Sequence, residues 1–179
     1  CVRPTKDGMF EIVYGYRRYS AAIYADLKEV LAIVRELSDD EAEDLAITEN
    51  LQREDITPLD EAAAFKRALD TGRHTYEGLS SKFGKSESYI HGRMKLNYLI
   101  PEMAALLKNE EINVGVAIEI AKYEPEIQQE VYRLHFKNDD MMSWKNVRIK
   151  EIAKRLYDQY MPQLDRYNFD MAECNECGK

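Results

Sequence analysis

The spacing of apolar residues after residue 56 predicts a series of short amphipathic helices. Thr57-Pro58 combines a side chain that can cap a helix with a proline suited to the first turn, and apolar residues then recur at helical spacing up to Gly72. Similar signals predict further helices, which begin at Pro101, Asn113, Pro125 and Ser143. We therefore predict that the chain is helical from residue 57 to about residue 165.

The first 56 residues show a different pattern. Residues 9–14 are rich in aromatic and β-branched side chains, which is typical of a strand, and helical spacing begins at Arg17, so Gly15 lies where strand turns into helix. Ser38, followed three positions later by glutamate, fits a capping box and predicts a helix over about residues 39–54. We predict a small α/β module here, and hence an α+β fold for the chain.

These patterns divide the chain into an α/β module, an all-helical domain, a further helix and a tail. Their predicted ranges are residues 1–56, 57–136, 137–165 and 166–179. The tail carries Cys174 and Cys177, whose spacing is that of half a zinc site. A closed site needs four ligands and this piece offers no others nearby, so we expect a disordered end and place any further ligands downstream.

Residues 71–100 have the pattern of a helix-turn-helix. Thr75 can cap a first helix, Gly84 breaks it, and Ser86 can cap a second helix. Although the formal net charge of the chain is −8, this window holds five lysines and arginines against two glutamates. A basic helix-turn-helix favours double-stranded DNA as the partner, whereas the alternative is an ordinary helical hairpin with a few exposed lysines.

The second helix of a helix-turn-helix enters the major groove with its first residues near the base edges. The residues expected near bases are Ser86, Glu87, Ser88 and His91. Those expected at phosphates are Lys85, Arg93 and Lys95. Glu87 is unusual in this set, because a carboxylate there would accept a hydrogen bond from a cytosine amino group or repel the wrong sequence.

The segment Gly15-Tyr16-Arg17-Arg18 is suited to binding phosphate. A helix start carries free N–H groups and a partial positive charge, and normally favours acidic residues, yet here it has two adjacent arginines. Glycine lets the backbone approach an anion closely, and each guanidinium offers a planar fork that matches phosphate oxygens. The alternative is that both arginines are solvated or paired with carboxylates of this acidic chain.

Glu49, Asn50 and Arg53 form a second candidate site on the helix predicted over residues 39–54. Their spacing places the carboxylate and the guanidinium on one stripe, with the amide beside them. Glu49 and Asn50 offer oxygen ligands to a divalent cation, while Arg53 can reach a phosphate. The alternative is a solvated helix face with a single glutamate–arginine pair.

Together, these two motifs resemble the ParB partition-protein family. Gly-x-Arg-Arg-x-x-Ala over residues 15–21 is followed by Glu-Asn-Leu-Gln-Arg over residues 49–53, and the helix-turn-helix lies where that family reads DNA. The resemblance extends from about Val2 to Tyr123. It implies that the α/β module is an incomplete ParB N-terminal domain that binds CTP with Mg²⁺, because the family has a further upstream segment that helps to contact the base.

The resemblance also implies residue roles. Those expected to bind nucleotide are Gly15, Tyr16, Arg17, Arg18, Ser20, Ala21, Glu49, Asn50 and Arg53. Glu49 and Asn50 would hold Mg²⁺, and Glu49 is the candidate catalytic residue for a weak hydrolysis of CTP to CDP. Many members of the family have glutamate after the glycine, where this chain has Tyr16, and a tyrosine cannot replace a carboxylate that ligates a metal. The sequence therefore supports CTP binding better than CTP hydrolysis.

Three functions are compatible with the sequence. The resemblance favours a DNA-binding switch in chromosome, plasmid or mobile-element partition, in which a homodimer binds a palindromic site, CTP controls its closure on DNA, and a partition ATPase is a further partner. The second is a ParB-like transcription regulator or adaptor that binds DNA without hydrolysing nucleotide. The third is an enzyme on the same module, but a sulfiredoxin-type reaction needs a cysteine in the Gly15 loop, and Tyr16-Arg17 supplies none.

Composition narrows the class of protein further. Three cysteines in 179 residues do not make a secreted disulfide framework, and no run of 18 apolar residues indicates a membrane span. We expect a cytoplasmic protein that associates with the nucleoid or a plasmid and not with a membrane. Because Cys1 stands where an initiator methionine would be, we expect a piece of a longer protein.

Overall fold

The computed structural model describes residues 1–138 and 141–161. Within these ranges a two-stranded sheet precedes nine α-helices, which confirms the predicted α+β fold class. The strands and helices are β1 (Val2–Pro4), β2 (Phe10–Ile12), α1 (Tyr16–Tyr24), α2 (Asp39–Leu51), α3 (Pro58–Asp70), α4 (Tyr76–Phe83), α5 (Glu87–Lys95), α6 (Pro101–Lys108), α7 (Val114–Ile120), α8 (Pro125–His135) and α9 (Ile149–Tyr160). The predicted half of a zinc site, Cys174 and Cys177, lies outside the described residues.

The sheet is a short antiparallel hairpin of β1 and β2. The strand predicted over residues 9–14 is therefore in the right place but only three residues long. Val2 also forms a parallel bridge with Val34, so the segment that precedes α2 lies beside the hairpin. Arg3 connects the hairpin to the start of α2, because its guanidinium lies 2.6 Å from the carboxylate of Asp39.

Helix α2 begins with a complete capping box, as predicted. Ser38 Oγ accepts a hydrogen bond from the Glu41 N–H at 3.3 Å, and the Glu41 carboxylate accepts one from the Ser38 N–H at 2.9 Å. The helix ends at Leu51, earlier than the predicted residue 54. Its acidic face is neutralised by Arg73, whose guanidinium pairs with the carboxylates of Asp40, Glu43 and Asp44.

Helices α4 and α5 form the predicted helix-turn-helix. Thr75 Oγ1 caps α4 by accepting a hydrogen bond from the Gly78 N–H at 3.0 Å, and Ser86 Oγ caps α5 by accepting one from the Tyr89 N–H at 3.2 Å. Gly84 ends α4 with a φ of 64°, in the left-handed region that glycine adopts without strain. The core beneath these helices is formed by Ile47, Phe65, Ala68, Leu79 and Ile90.

The chain divides into two compact units, Cys1–Tyr98 and Leu99–Lys179. The second unit contains α6 to α9, and its buried residues include Met103, Leu107, Val116, Ile120, Val131, Ile152 and Leu156. Gln128 is buried among them, where its amide accepts from the Ile100 N–H at 3.0 Å and donates to the Tyr123 carbonyl at 2.8 Å. None of the helices in the described ranges is long and apolar enough to cross a bilayer.

The start of α9 differs from the prediction. The helix begins at Ile149 with Arg148 as its N-cap, and not after Ser143. Trp144 is buried, and its ring stacks on that of His135 with 3.9 Å between the ring centroids. Because this packing holds the chain immediately after Ser143, the intervening residues form turns before the helix begins. The predicted cap at Ser143 was therefore wrong.

Candidate nucleotide site and nucleic-acid interface

A pocket of about 480 Å³ opens between the start of α1, helix α2 and helix α3. Seven of the nine residues predicted to bind nucleotide line it: Gly15, Tyr16, Arg17, Arg18, Glu49, Asn50 and Arg53. The other two, Ser20 and Ala21, are exposed on α1 outside the lining of this pocket. The two sequence motifs, which are distant along the chain, thus meet at one cavity.

Gly15 sets the geometry of the α1 start. Its φ of 101° lies in the left-handed region, where a side chain would strain the backbone, and an added Cβ would come within 4.0 Å of Arg18 Nη2. The first turn of α1 contains no acidic residue, so Arg17 and Arg18 stand at the positive end of the helix dipole. The helix dipole and the two guanidiniums therefore both favour the binding of an anion in this pocket.

Asp55 is the carboxylate that Arg17 and Arg53 hold in the structure, so Arg17 is paired with a carboxylate, as the alternative interpretation of its motif expects. Arg53 donates from Nε to Asp55 Oδ1 at 3.0 Å and from Nη2 to Oδ2 at 2.8 Å, and Arg17 Nη1 lies 3.1 Å from the same Oδ2. The hydrogen bonds from Arg53, and then that from Arg17, lower the pKa of Asp55 to about 2. Asp55 is therefore a permanent anion at neutral pH, placed between two guanidiniums. Sequence reasoning missed it, although its position two residues after Arg53 was a signal.

Helix α3 forms the far wall of the pocket through Ala64 and Arg67. These residues are three positions apart and so share one face of the helix. Arg67 brings the number of arginines in the pocket to four, against the two carboxylates of Glu49 and Asp55. No sequence motif indicated Arg67, because its helix was predicted to belong to the next domain along the chain.

The pocket also offers ligands for a divalent cation. Glu49 and Asn50 are half-buried in its wall, and their carboxylate and amide oxygens are donors that Mg²⁺ prefers. In the described part of the chain, no group of three or more histidines, cysteines, aspartates or glutamates is arranged to hold a metal. These two residues therefore fit a Mg²⁺ ion whose remaining ligands come from phosphate oxygens and water, which is the usual mode for this ion.

A second groove of about 470 Å³ adjoins the first and shares Tyr14, Gly15 and Arg18 with it. Most of its other lining residues are apolar or aromatic: Val2, Phe10, Ile12, Tyr19, Val30, Leu31, Ala32 and Ile33. Guanidiniums that can hold phosphate thus border a surface that can receive a flat ring. This combination suits a nucleotide better than a simple inorganic anion.

Except for Arg93, the predicted DNA-contacting residues lie on the outside of the helix-turn-helix. Lys85, Glu87, Ser88 and His91 are exposed, and Lys95 is half-exposed. The Ser86 hydroxyl is engaged in capping α5, so its oxygen is held at the helix start. The ring of His91 stacks on Tyr76 with 3.9 Å between centroids, which fixes its direction from the helix. These side chains are therefore accessible at the surface of the helix-turn-helix.

Arg93 lies in a different environment from its predicted neighbours. Its side chain is only 16% exposed, and its Nε donates to Glu61 Oε2 at 2.6 Å. Tyr89 Oη lies 2.8 Å from the same carboxylate oxygen, and the guanidinium also lies 4.8 Å from the Tyr89 ring centroid. Burial, and then the hydrogen bond to Glu61, raise the pKa of Tyr89. Arg93 is therefore better explained as fastening α5 to α3 than as a phosphate contact.

Comparison with known proteins decides the family. Residues 1–51 match the ParB N-terminal domain, and residues 54–155 match the ParB HTH domain. The chain belongs to the ParB family. The ParB relatives include the chromosome-partitioning protein Spo0J of Thermus thermophilus, 43% identical over 70% of this chain and 46% of that protein. The nucleoid occlusion protein of Listeria monocytogenes is 35% identical over 72% of this chain and 45% of its own length, so the chain spans less than half of these relatives.

Two solved ParB structures are also similar to this chain. The C-terminally truncated ParB of Caulobacter crescentus, in a crystal structure complexed to the centromeric parS site, is 30% identical with a TM-score of 0.60. The match covers 88% of this chain and 80% of the ParB chain. A second structure of that truncated ParB, complexed with CTP-gamma-S, is 36% identical over 73% of this chain. Its TM-score of 0.37 is too low to compare the two sites.

Proposed function

We propose that this chain is the nucleotide- and DNA-binding part of a ParB-like partition protein. Its N-terminal pocket binds CTP with Mg²⁺, its helix-turn-helix binds a palindromic DNA site within a homodimer, and the bound nucleotide controls closure of the dimer on DNA. The protein acts at the nucleoid or on a plasmid, with a partition ATPase as a further partner. The observation that carries the nucleotide proposal is the Asp55 carboxylate held between Arg17 and Arg53.

Asp55 supports phosphate binding because it shows where the site holds negative charge. Its side chain is 63% exposed, so an incoming anion can reach it from solvent. Arg17 is 79% exposed and carries this single ion pair within the described residues, so it can turn from Asp55 to a phosphate with little disturbance of the fold. A phosphate offers more acceptor oxygens than a carboxylate and is therefore the stronger partner for two guanidiniums.

Glu49 and Asn50 would hold the Mg²⁺ ion, which supplies charge neutralisation between phosphate oxygens. Tyr16, which is 63% exposed in the same pocket, offers no carboxylate to a metal or to a water molecule. This favours a switch driven by binding, with hydrolysis slow. The alternative function, a ParB-like regulator that binds DNA without hydrolysing nucleotide, rests on this same residue.

We expect CTP to bind more tightly than the other three ribonucleoside triphosphates. Calorimetric titration of the protein with each of them in the presence of Mg²⁺ measures this, and an advantage of about tenfold or more for CTP is expected. Removal of Mg²⁺ with a chelator should weaken CTP binding, because phosphate charge then lacks its counter-ion. Equal and weak binding of all four triphosphates would contradict the assignment of CTP.

Selection from random duplexes should recover an inverted repeat, as expected for a dimer of helix-turn-helix domains. We expect Ser88→Ala and Lys85→Ala each to weaken binding of the selected site by about five- to tenfold in fluorescence anisotropy, and only Ser88→Ala to relax base preference. Lys6→Ala and Lys28→Ala, which remove exposed lysines outside the helix-turn-helix, are the matched controls. The DNA assignment fails if the two test variants bind as well as these controls.

A further inference from the structure

We infer that Arg67 is a further ligand of the bound polyphosphate, supplied by the helix to which the recognition helix α5 is fastened. This inference rests on the proposed nucleotide site and adds a residue that neither sequence motif contains. Arg67 lies on α3 three positions after Ala64, and both line the pocket together with Arg17 and Arg18 of α1.

Arg67 is available for an anion in a way that its neighbour is not. Lys66, the adjacent residue on α3, is bound to Asp70 at 2.6 Å on the helix surface. In the described part of the chain, the exposed Arg67 side chain has no hydrogen bond or ion pair. An unpaired guanidinium that lines a pocket with three other arginines adds positive charge that favours an anion there.

The distribution of carboxylates points in the same direction. Arg17 and Arg53 share Asp55, whereas Arg18 and Arg67 have no carboxylate partner among the described residues. One phosphate group can replace the Asp55 carboxylate at the first pair. The further phosphates of a nucleoside triphosphate would supply the negative charge that Arg18 and Arg67 lack.

Helix α3 also contacts the helix-turn-helix, through Glu61. The Glu61 carboxylate holds both Tyr89 and Arg93 of α5. A polyphosphate bound to Arg67 would therefore contact the helix that fixes the recognition helix in place. This gives bound nucleotide a direct physical link to the helix-turn-helix within the unit Cys1–Tyr98.

The test compares Arg67→Ala with Lys66→Ala by titration of CTP and of inorganic tripolyphosphate, both with Mg²⁺. We expect Arg67→Ala to weaken both ligands by about tenfold and by similar factors, Arg67→Lys to recover part of the loss, and Lys66→Ala to change neither by more than about twofold. Because Arg67 is exposed on a helix surface, circular dichroism should show an unchanged fold.

Two results would overturn the inference while leaving the nucleotide site intact. If Arg67→Ala binds both ligands as tightly as Lys66→Ala, Arg67 does not contact the polyphosphate. If only CTP binding is weakened, Arg67 contacts the nucleoside. A wild-type protein that binds neither ligand would instead refute the proposed site, and the Arg67 inference with it.

Discussion

Alanine in place of Arg17 is expected to weaken CTP binding by about 30-fold or more. Arg17 stands in the first turn of α1, lines the pocket, and already binds one anion, the Asp55 carboxylate. Its loss removes a charge-assisted, geometrically matched contact from the phosphates and leaves the helix core untouched, because the side chain is exposed. Calorimetric titration with CTP and Mg²⁺ gives the ratio of dissociation constants.

Two companion variants make this result specific. Arg35→Ala removes an exposed arginine from the same unit outside the pocket, and its affinity for CTP should equal that of the wild type. Asp55→Asn should change affinity in the opposite direction, with binding tighter by about three- to tenfold, because the amide no longer competes for two guanidiniums. A weaker Asp55→Asn variant would show that Asp55 orients the arginines in the complex and does not compete with phosphate.

Glu61→Ala is expected to lower the free energy of unfolding by about 3 kcal/mol. The Glu61 side chain is only 9% exposed and binds both the Arg93 guanidinium and the Tyr89 hydroxyl. Alanine would leave a largely buried cation and a hydroxyl without their acceptor, which is the costly way to break a buried pair. Urea unfolding followed by circular dichroism measures the change.

Two control variants distinguish the contacts of Glu61 from an ordinary surface ion pair. Asp70→Asn removes the exposed pair with Lys66 on the same helix and should leave stability unchanged within error. Glu61→Gln keeps a hydrogen-bond acceptor and should recover part of the loss. If Glu61→Ala is as stable as Asp70→Asn, the network does not hold α5 on α3, and the phosphate role of Arg93 becomes the better explanation.

Local signals in the sequence were enough to place most of the helices. Ser38, Thr57, Thr75 and Ser86 cap the helices that they were predicted to cap, because a capping side chain bonds a backbone N–H only three residues away. Gly84 ends α4 for an equally local reason, its positive φ. Such features depend on neighbours along the chain and can be seen without a fold.

Prediction failed where a distant contact decided the outcome. Ser143 has the chemistry of a cap, but burial of Trp144 against His135 holds the chain in turns and delays α9 to Ile149. The phosphate role of Arg93 stays a prediction, and nothing in the sequence reveals that Glu61 lies 2.6 Å from its side chain.

The same distinction between local signals and distant contacts applies to the candidate site. The residues of its two motifs could be named as candidates because each motif has a pattern of its own. Arg67 was missed because its relation to the pocket arises only when α2 and α3 pack together, whereas Asp55 was missed although it lies only two residues after Arg53.

The wall that α3 contributes to the pocket limits where the chain can be divided into separate functional fragments. Cutting the chain at residue 56, the predicted end of the α/β module, would remove Ala64 and Arg67 and leave the cavity open on one side. The proposed nucleotide site therefore includes α3 and cannot be transferred to another DNA-binding domain without that helix. Helix α3 also holds α5 through Glu61. Any chimera that keeps the pocket wall formed by α3 therefore also keeps the helix on which α5 packs.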